Sequence, residues 1–350
     1  MGAATDGRSL EQRVASLFPT RDHYIASPVF DWIFLIGSPL LAVFVVLGAS
    51  RLMPADRVEY YVLAYMAIGH HVPTFLRAYG DADEYTRNRF QLIVLPLCVI
   101  PLVVGMVLVD ARLLTLIFVW DQYHFVRQHY GFMRIYDVKA GASSPFDANL
   151  DQWLSFSAFI AIIAHSGFYG YMYADSFYAL GIVFPDWLVR VFEDGSLAVA
   201  GVVGLLFLAR LQWRVANGLP IAWLKLVLFA TTFGVWYFAY VTLAHGFLSY
   251  AISSFFHCLQ YDAFAWYYNR KKARSLVPTR SNRVFRFVHE SRQLWLFVTL
   301  ILAYGLISSL GKTLWLVPVL ALNTTTGLLH YYFDSFIWRV RRAEFREHLQ

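Results

Sequence analysis

Residues 90–109, FQLIVLPLCVIPLVVGMVLV, run for twenty positions without a charged side chain. Coiled as a helix at about 1.5 Å per residue, such a run covers roughly 30 Å, the hydrocarbon thickness of a bilayer. Working outward, comparable apolar stretches recur at 30–49, 59–79, 113–136, 152–173, 196–212, 221–243, 245–268, 292–310 and 314–338. The composition agrees with this pattern: 58% of positions are hydrophobic and 15% charged, where a soluble domain carries about 25% charge. The sequence therefore predicts an all-α, polytopic integral membrane helix bundle of ten transmembrane helices, forming one domain over 30–338. A polar segment at 1–29 and a tail at 339–350 flank it.

The same arithmetic excludes a disordered chain, a disulfide-stapled secreted domain, and a nucleic-acid binder resting on a net charge of +6. Cys98 and Cys258 lie far apart inside apolar stretches and read as small buried hydrophobes. The first 29 residues hold Asp6, Arg8, Glu11, Arg13 and Arg21 and lack the pattern of a signal peptide. Residues 177–192 are apolar but interrupted at Pro185-Asp186, and read as an interfacial or re-entrant piece. Lysines and arginines resist translocation and so mark the cytoplasmic side. With both termini cytoplasmic, 24 of the 29 basic residues fall inside, eight of them in a basic loop at 269–292. The expected location is an integral membrane protein of the bacterial inner membrane.

Four spans, 59–79, 113–136, 245–268 and 314–338, carry polar residues that a lipid-facing helix would not. Six of the eleven histidines fall in them: His70, His71, His124, His129, His257 and His330. All four spans run from outside to inside, and His70, His124, His257 and His330 lie 11, 11, 12 and 16 residues into them. One layer, between the midplane and the cytoplasmic face, can hold them all. On an ideal helix, with about 100° per residue, Met66, His70, Thr74, Arg77 and Asp81 form one stripe, kinked at Pro73. Asp121, His124, Gln128 and His129 share an arc; Ser253, His257, Gln260 and Tyr261 align, with Asp262 pointing elsewhere. Asn323, Thr326, His330 and Asp334 form a fourth stripe. A polar stripe in hydrocarbon costs several kcal/mol unless its groups find partners, so the four are expected to converge.

Imidazoles and carboxylates with almost no thiolate suit iron, zinc, copper or manganese. The expected ligands are His70, His71, His124, His129, His257, His330 and Asp334. Asp121, Gln260, Tyr261 and Asp262 are expected to act beside them. Haem would use one axial pair and leave four histidines over, and a proton-coupled transporter would favour a repeat that the sequence lacks. The remaining histidines, His23, His165, His245, His289 and His348, read as tail, loop or packing residues. Iron with open positions activates dioxygen, whereas zinc activates water for hydrolysis. Six histidines with acids favour two irons, with a zinc-dependent lipid hydrolase the alternative and a proton-coupled transporter, with His330, Asp334 and Arg77 as a proton-and-anion route, the third reading. The depth of the layer implies a lipid-like substrate.

The segments GHHVPTFLRAYGD, WDQYHFVRQHYGF, FHCLQYDAFAW and LLHYYFDSFIWR resemble the histidine-and-acid clusters of multi-spanning non-haem iron oxygenases and desaturases, and among these the bacterial carotene dioxygenase family. That resemblance implies iron-ligand roles for His70, His124, His257 and His330. His124 and His129 are separated by four residues rather than three, and no HxxHH box is present. Ser253 and His257 also have the SxxxH spacing of ceramidase-like zinc hydrolases, without the later HxxxH. No electron-donor domain is encoded in these residues, so a reaction needing electrons implies a separate donor protein, docking on the basic 269–292 stretch. Membrane lipids are the other expected partner, and nucleic acid is not one.

Overall fold

A computed structural model describes residues 19–277, 279, 282–290, 293–340 and 342–349. Among them every regular element is helical. A helical turn at Pro28–Phe30 opens into a wide π-helical stretch, Asp31–Ile36, and then α1 (Ser38–Ala49). Next come α2 (Ala55–Val62), a second π stretch (Leu63–Ala67), α3 (His71–Gly80) and α4 (Ala82–Val109). A 3-10 segment (Ala111–Ile117) leads into α5 (Phe118–Lys139), followed by α6 (Pro145–Ala164), α7 (Gly167–Ala179) and α8 (Asp186–Ala216). Then come α9 (Trp223–Tyr237) with a π end (Phe238–Leu243), α10 (Gly246–Ser275), α11 (Arg283–His289), α12 (Leu294–Leu314), α13 (Leu316–Ile337) and α14 (Ala343–Glu347).

Among the described residues each of the ten apolar stretches is mostly helical. Among the described residues four helices are long and apolar enough to cross a membrane: α4, α8, α9 with its π end, and α12. Two bent pairs, Pro28–Ile36 with α1 (52°) and α6 with α7 (79°), bring the number up to six if each is one span. The four spans below that threshold are the histidine-bearing ones; they carry the polar residues, and 59–79 is also broken into Ala55–Val62, Leu63–Ala67 and His71–Gly80. Lipid-like surroundings fit the outer helices best: α8 has no buried residue along its 31 positions, and Leu205, Leu208 and Val202 point outward.

Three expectations change. Residues 177–192 are no separate re-entrant piece; Pro185 caps α8, and Asp186 begins a continuous helix to Ala216. Proline is tolerated at such a start because no helical N–H is lost there. The 269–292 stretch is not a loop: α10 continues to Ser275, and α11 buries Phe285, Val288 and His289. Residues 1–18 of the polar segment, and positions 278, 280, 281, 291 and 292 of the basic stretch, lie outside the described residues. The break in span 59–79 falls before Pro73, which sits harmlessly in the first turn of α3. The cause lies in the π stretch at 63–67, against which α12 packs. A Cβ on Gly305 would lie 1.8 Å from the Ala64 carbonyl oxygen, and one on Gly69 would lie 2.5 Å from that of Ile301. Only glycine allows the two backbones to meet there, and this contact sets the position of His70.

Beyond His70 and His71, α3 leads to a buried ionic cluster. Arg77 contacts Glu84 at 3.3 Å, and its guanidinium lies 4.5 Å over the Tyr268 ring and 4.3 Å over that of Trp338. Lys272 of α10 meets Asp81 and Glu344, each at 2.7 Å, and Arg342 meets Glu84 at 3.2 Å. The C-terminal segment is thereby clamped onto α3, α4 and α10.

Candidate metal centre

Four imidazoles from four different segments form a closed ring. His70 stands in the turn between the π stretch and α3, His124 on α5, His257 on α10 and His330 on α13. Their ring centroids are separated by 5.3 Å (His70–His257), 5.1 Å (His257–His124), 4.8 Å (His124–His330) and 4.5 Å (His330–His70). All four are buried. One donor atom from each of His70, His124 and His257 lies within 4.8 Å of the other two, and the same holds for His124, His330 and Asp334. His124 belongs to both groups.

Hydrogen bonding decides which nitrogens are free. His70 Nδ1 contacts the Ala67 carbonyl oxygen, which can only accept, so that nitrogen carries the proton and Nε2 carries the lone pair. His330 Nδ1 lies 2.5 Å from Thr74 Oγ1, whose hydroxyl donates to Asp334 Oδ1 at 2.9 Å. With Nδ1–H donating to Thr74, His330 Nε2 is likewise left with its lone pair. Buried Nε2 atoms of His70, His124, His129, His257 and His330 have no hydrogen-bond partner, and neither has His257 Nδ1. An unmet buried polar atom costs about 1–3 kcal/mol, so the four Nε2 atoms of the ring, those of His70, His124, His257 and His330, would already approach the roughly 5–15 kcal/mol stability of a domain. A cation held among them removes that cost, and the residues present fit one.

Asp334 is fixed by its neighbours. Its Oδ1 accepts from Thr74, from Tyr261 OH at 2.9 Å and from Trp338 Nε1 at 3.1 Å, while Oδ2 lies 3.8 Å from His330 Nε2. Asp121 stands behind the ring: it accepts from Tyr331 OH at 2.7 Å, and the Tyr331 ring stacks on His124 at 4.6 Å.

The other expected residues are placed less centrally. His71 touches His70 and His330 at 4.7 and 5.0 Å, and its Nδ1 lies 3.3 Å from Thr326 Oγ1, outside both donor groups. His129 also lies outside both. Its Nδ1–H donates to the Phe125 carbonyl, and its ring packs against Trp236 at 4.8 Å and Phe256 at 5.7 Å. The four-residue separation from His124 turns it to another face of α5. Gln260 donates to the Leu35 carbonyl at 2.6 Å and accepts from Gln128, so it ties helices together rather than facing the ring. Asp262 is in neither donor group, and its Oδ1 is buried without a partner. Tyr261 does reach the ring, through Asp334 and Thr74.

Sequence reading missed Tyr331 and Trp338, since aromatic residues at membrane ends are ordinary packing and belt residues. It also placed His289 in a basic loop. That ring is buried against Trp266 and Phe285, its Nδ1–H donates to the Phe285 carbonyl, and its Nε2 accepts from Asn269 at 3.4 Å. Burial, with the Arg77 charge adding to it, lowers His289 to about 4.

No family model, curated protein or solved structure matches this chain.

Proposed function

We propose that the chain is a polytopic membrane oxidoreductase of the bacterial inner membrane, with ten spans and cytoplasmic termini, in which non-haem iron and dioxygen act on a lipid-like substrate. The observation that carries the reading is the convergence of unpartnered imidazole nitrogens with Asp334. His124, His330 and Asp334 have the two-histidine, one-carboxylate composition typical of oxygen-activating iron, and His70 and His257 would offer further imidazole donors beside them. Iron held there would activate dioxygen, the oxidant, for attack on an unactivated carbon. The chain's own residues hold His70 and His330 in one tautomer, through Ala67 and Thr74, and stack Phe125 on His257. Asp334, Thr74 and Tyr261 form a connected set of hydroxyl and carboxyl groups through which a proton can be moved at Asp334 Oδ1. Hydroxylation or desaturation consumes two electrons from a donor protein along with dioxygen, whereas a cleavage that places both oxygen atoms in the product needs no donor.

Zinc is the competing occupant, because three histidines with an open position suit a hydrolase. Elemental analysis of the purified full chain separates them. Iron at one or two atoms per chain, lost from both His257→Ala and His330→Ala, together with oxygen uptake on adding lipid, is the expected result. One zinc per chain without oxygen uptake would replace the oxidoreductase with a hydrolase, and absence of any metal would remove both.

A further inference from the structure

We infer that the molecule entering this site is an amphiphile with an anionic head group, a carboxylate or a phosphate, rather than a neutral lipid. The inference rests on the function proposed above for what happens at the centre, and on the cavity alone for which molecule enters. A cavity of about 1120 Å³ opens beside the histidine ring, ample for a long-chain ligand. Its inner wall includes His124, Tyr261, Tyr331 and Asp334. Phe132, Phe264 and Trp338 line it with apolar surface that an alkyl chain can cover. Along α5 the wall continues from His124 through Arg127 to Arg134, an advance of roughly 15 Å along the helix axis.

The charge of the wall is one-sided. Five arginines line it, Arg127, Arg134, Arg339, Arg342 and Arg346, against a single carboxylate, Asp334 at the inner end. Two of the five already have acidic partners: Arg134 meets Asp137 at 2.5 Å and Arg342 meets Glu84 at 3.2 Å. Among the described residues Arg127, Arg339 and Arg346 have no carboxylate within ion-pair distance. Arg127 lies 5.2 Å over the Tyr130 ring, and Arg339 Nε donates only to the Ser335 carbonyl at 3.4 Å. Basic residues at a cytoplasmic flank are expected for topology alone, but topology is satisfied by positive charge anywhere on that side. Here three guanidinium groups without a carboxylate partner among the described residues line the same cavity as His124 and Asp334. A planar fork of N–H donors is the side chain best suited to carboxylate or phosphate oxygens.

The test uses the full chain in phosphatidylcholine nanodiscs at neutral pH, with empty discs as the blank. Equilibrium binding of radiolabelled laurate, dodecyl phosphate and dodecanol compares two anionic heads with a neutral one on the same chain length. At least one anion is expected to bind about tenfold or more tightly than dodecanol, the factor that one charge-assisted hydrogen bond supplies. The tighter of the two names the head group. Arg127→Gln and Arg339→Gln are each expected to lose about that factor for the anion and none for dodecanol, which separates recognition by arginine from carboxylate binding to a metal. Dodecanol bound as tightly as both anions by the unaltered chain would overturn the inference, whatever the variants do. Metal content is measured on the same samples: metal without anion preference sinks this inference alone, and preference without metal sinks the oxidoreductase and leaves this one standing.

Discussion

Thr74 holds the centre together at the scale of single residues. Its hydroxyl links His330 Nδ1 to Asp334 Oδ1, and it touches Tyr261 OH as well. A histidine ligand whose second nitrogen is held in one tautomer is a stronger and better oriented donor, and loss of such a partner typically costs about 10–100-fold in metal affinity. Thr74→Val keeps the shape and removes the hydroxyl. It is expected to weaken metal binding by about that factor in chelator competition, and Thr74→Ser is expected to restore it. Equal affinity in all three proteins would mean that Asp334 and His330 are set by packing alone. The sequence made the histidines legible because an imidazole in an apolar span needs a reason to be there. It made Thr74 visible only as a member of a polar stripe. Tyr331 it hid altogether, because a tyrosine 100° round the helix from that stripe reads as surface.

At the scale of elements, the helical character of the apolar stretches was readable from hydropathy, and their interruptions were not. Nothing in LAYMA at 63–67 distinguishes a π turn from an α turn, since no proline or glycine occurs in it. Its cause is tertiary: α12 presses the glycine at 305 against the Ala64 carbonyl and Ile301 against Gly69. The wide turn then delivers His70 to the ring from a segment that an ideal helix would have rotated differently. Gly305→Ala is therefore expected to destabilise the fold, by about 1–3 kcal/mol for a forced backbone shift, and to lower metal retention with it. Gly204→Ala on α8, where the added carbon meets nothing within 4 Å, supplies the control. There alanine is expected to be neutral or to stabilise the helix by up to about 1 kcal/mol. Thermal unfolding with metal analysis of both variants decides, and equal behaviour would show that the glycine contact does not position His70.

At the scale of the whole molecule, the histidine ring and the C-terminal clamp are joined through α3, which carries His71 and Thr74 at one end and Arg77 at the other. Arg77 has Glu84, Asn269 and two aromatic rings as partners, so it serves the clamp. None of this was legible beforehand, because ion pairs between residues 81, 84, 272, 342 and 344 depend on the tertiary arrangement of four separate segments. The clamp should loosen in two stages as pH falls. His289, ordinarily near 6.5, is lowered to about 4 by burial and by Arg77, so between those values the undocked form takes up a proton that the docked form refuses. Its contribution is complete above pH 6.5 and declines as pH falls towards 4, by roughly 2 kcal/mol at pH 5. Glu344 is partly buried, which by itself would raise it, but Lys272 and Arg87 outweigh that and hold it at about 2 instead of 4.5. Its contribution is present above 4.5 and disappears as pH falls towards 2. Hydrogen exchange at 283–289 and 343–349, corrected for the intrinsic rate at each pH, reads the two stages. His289→Gln is expected to abolish the upper stage and spare the lower, and Glu344→Gln to do the reverse. Protection unchanged between pH 7 and 5 in the unaltered chain would show that α11 is held by Phe285 and Val288 alone, with the imidazole contributing no pH dependence.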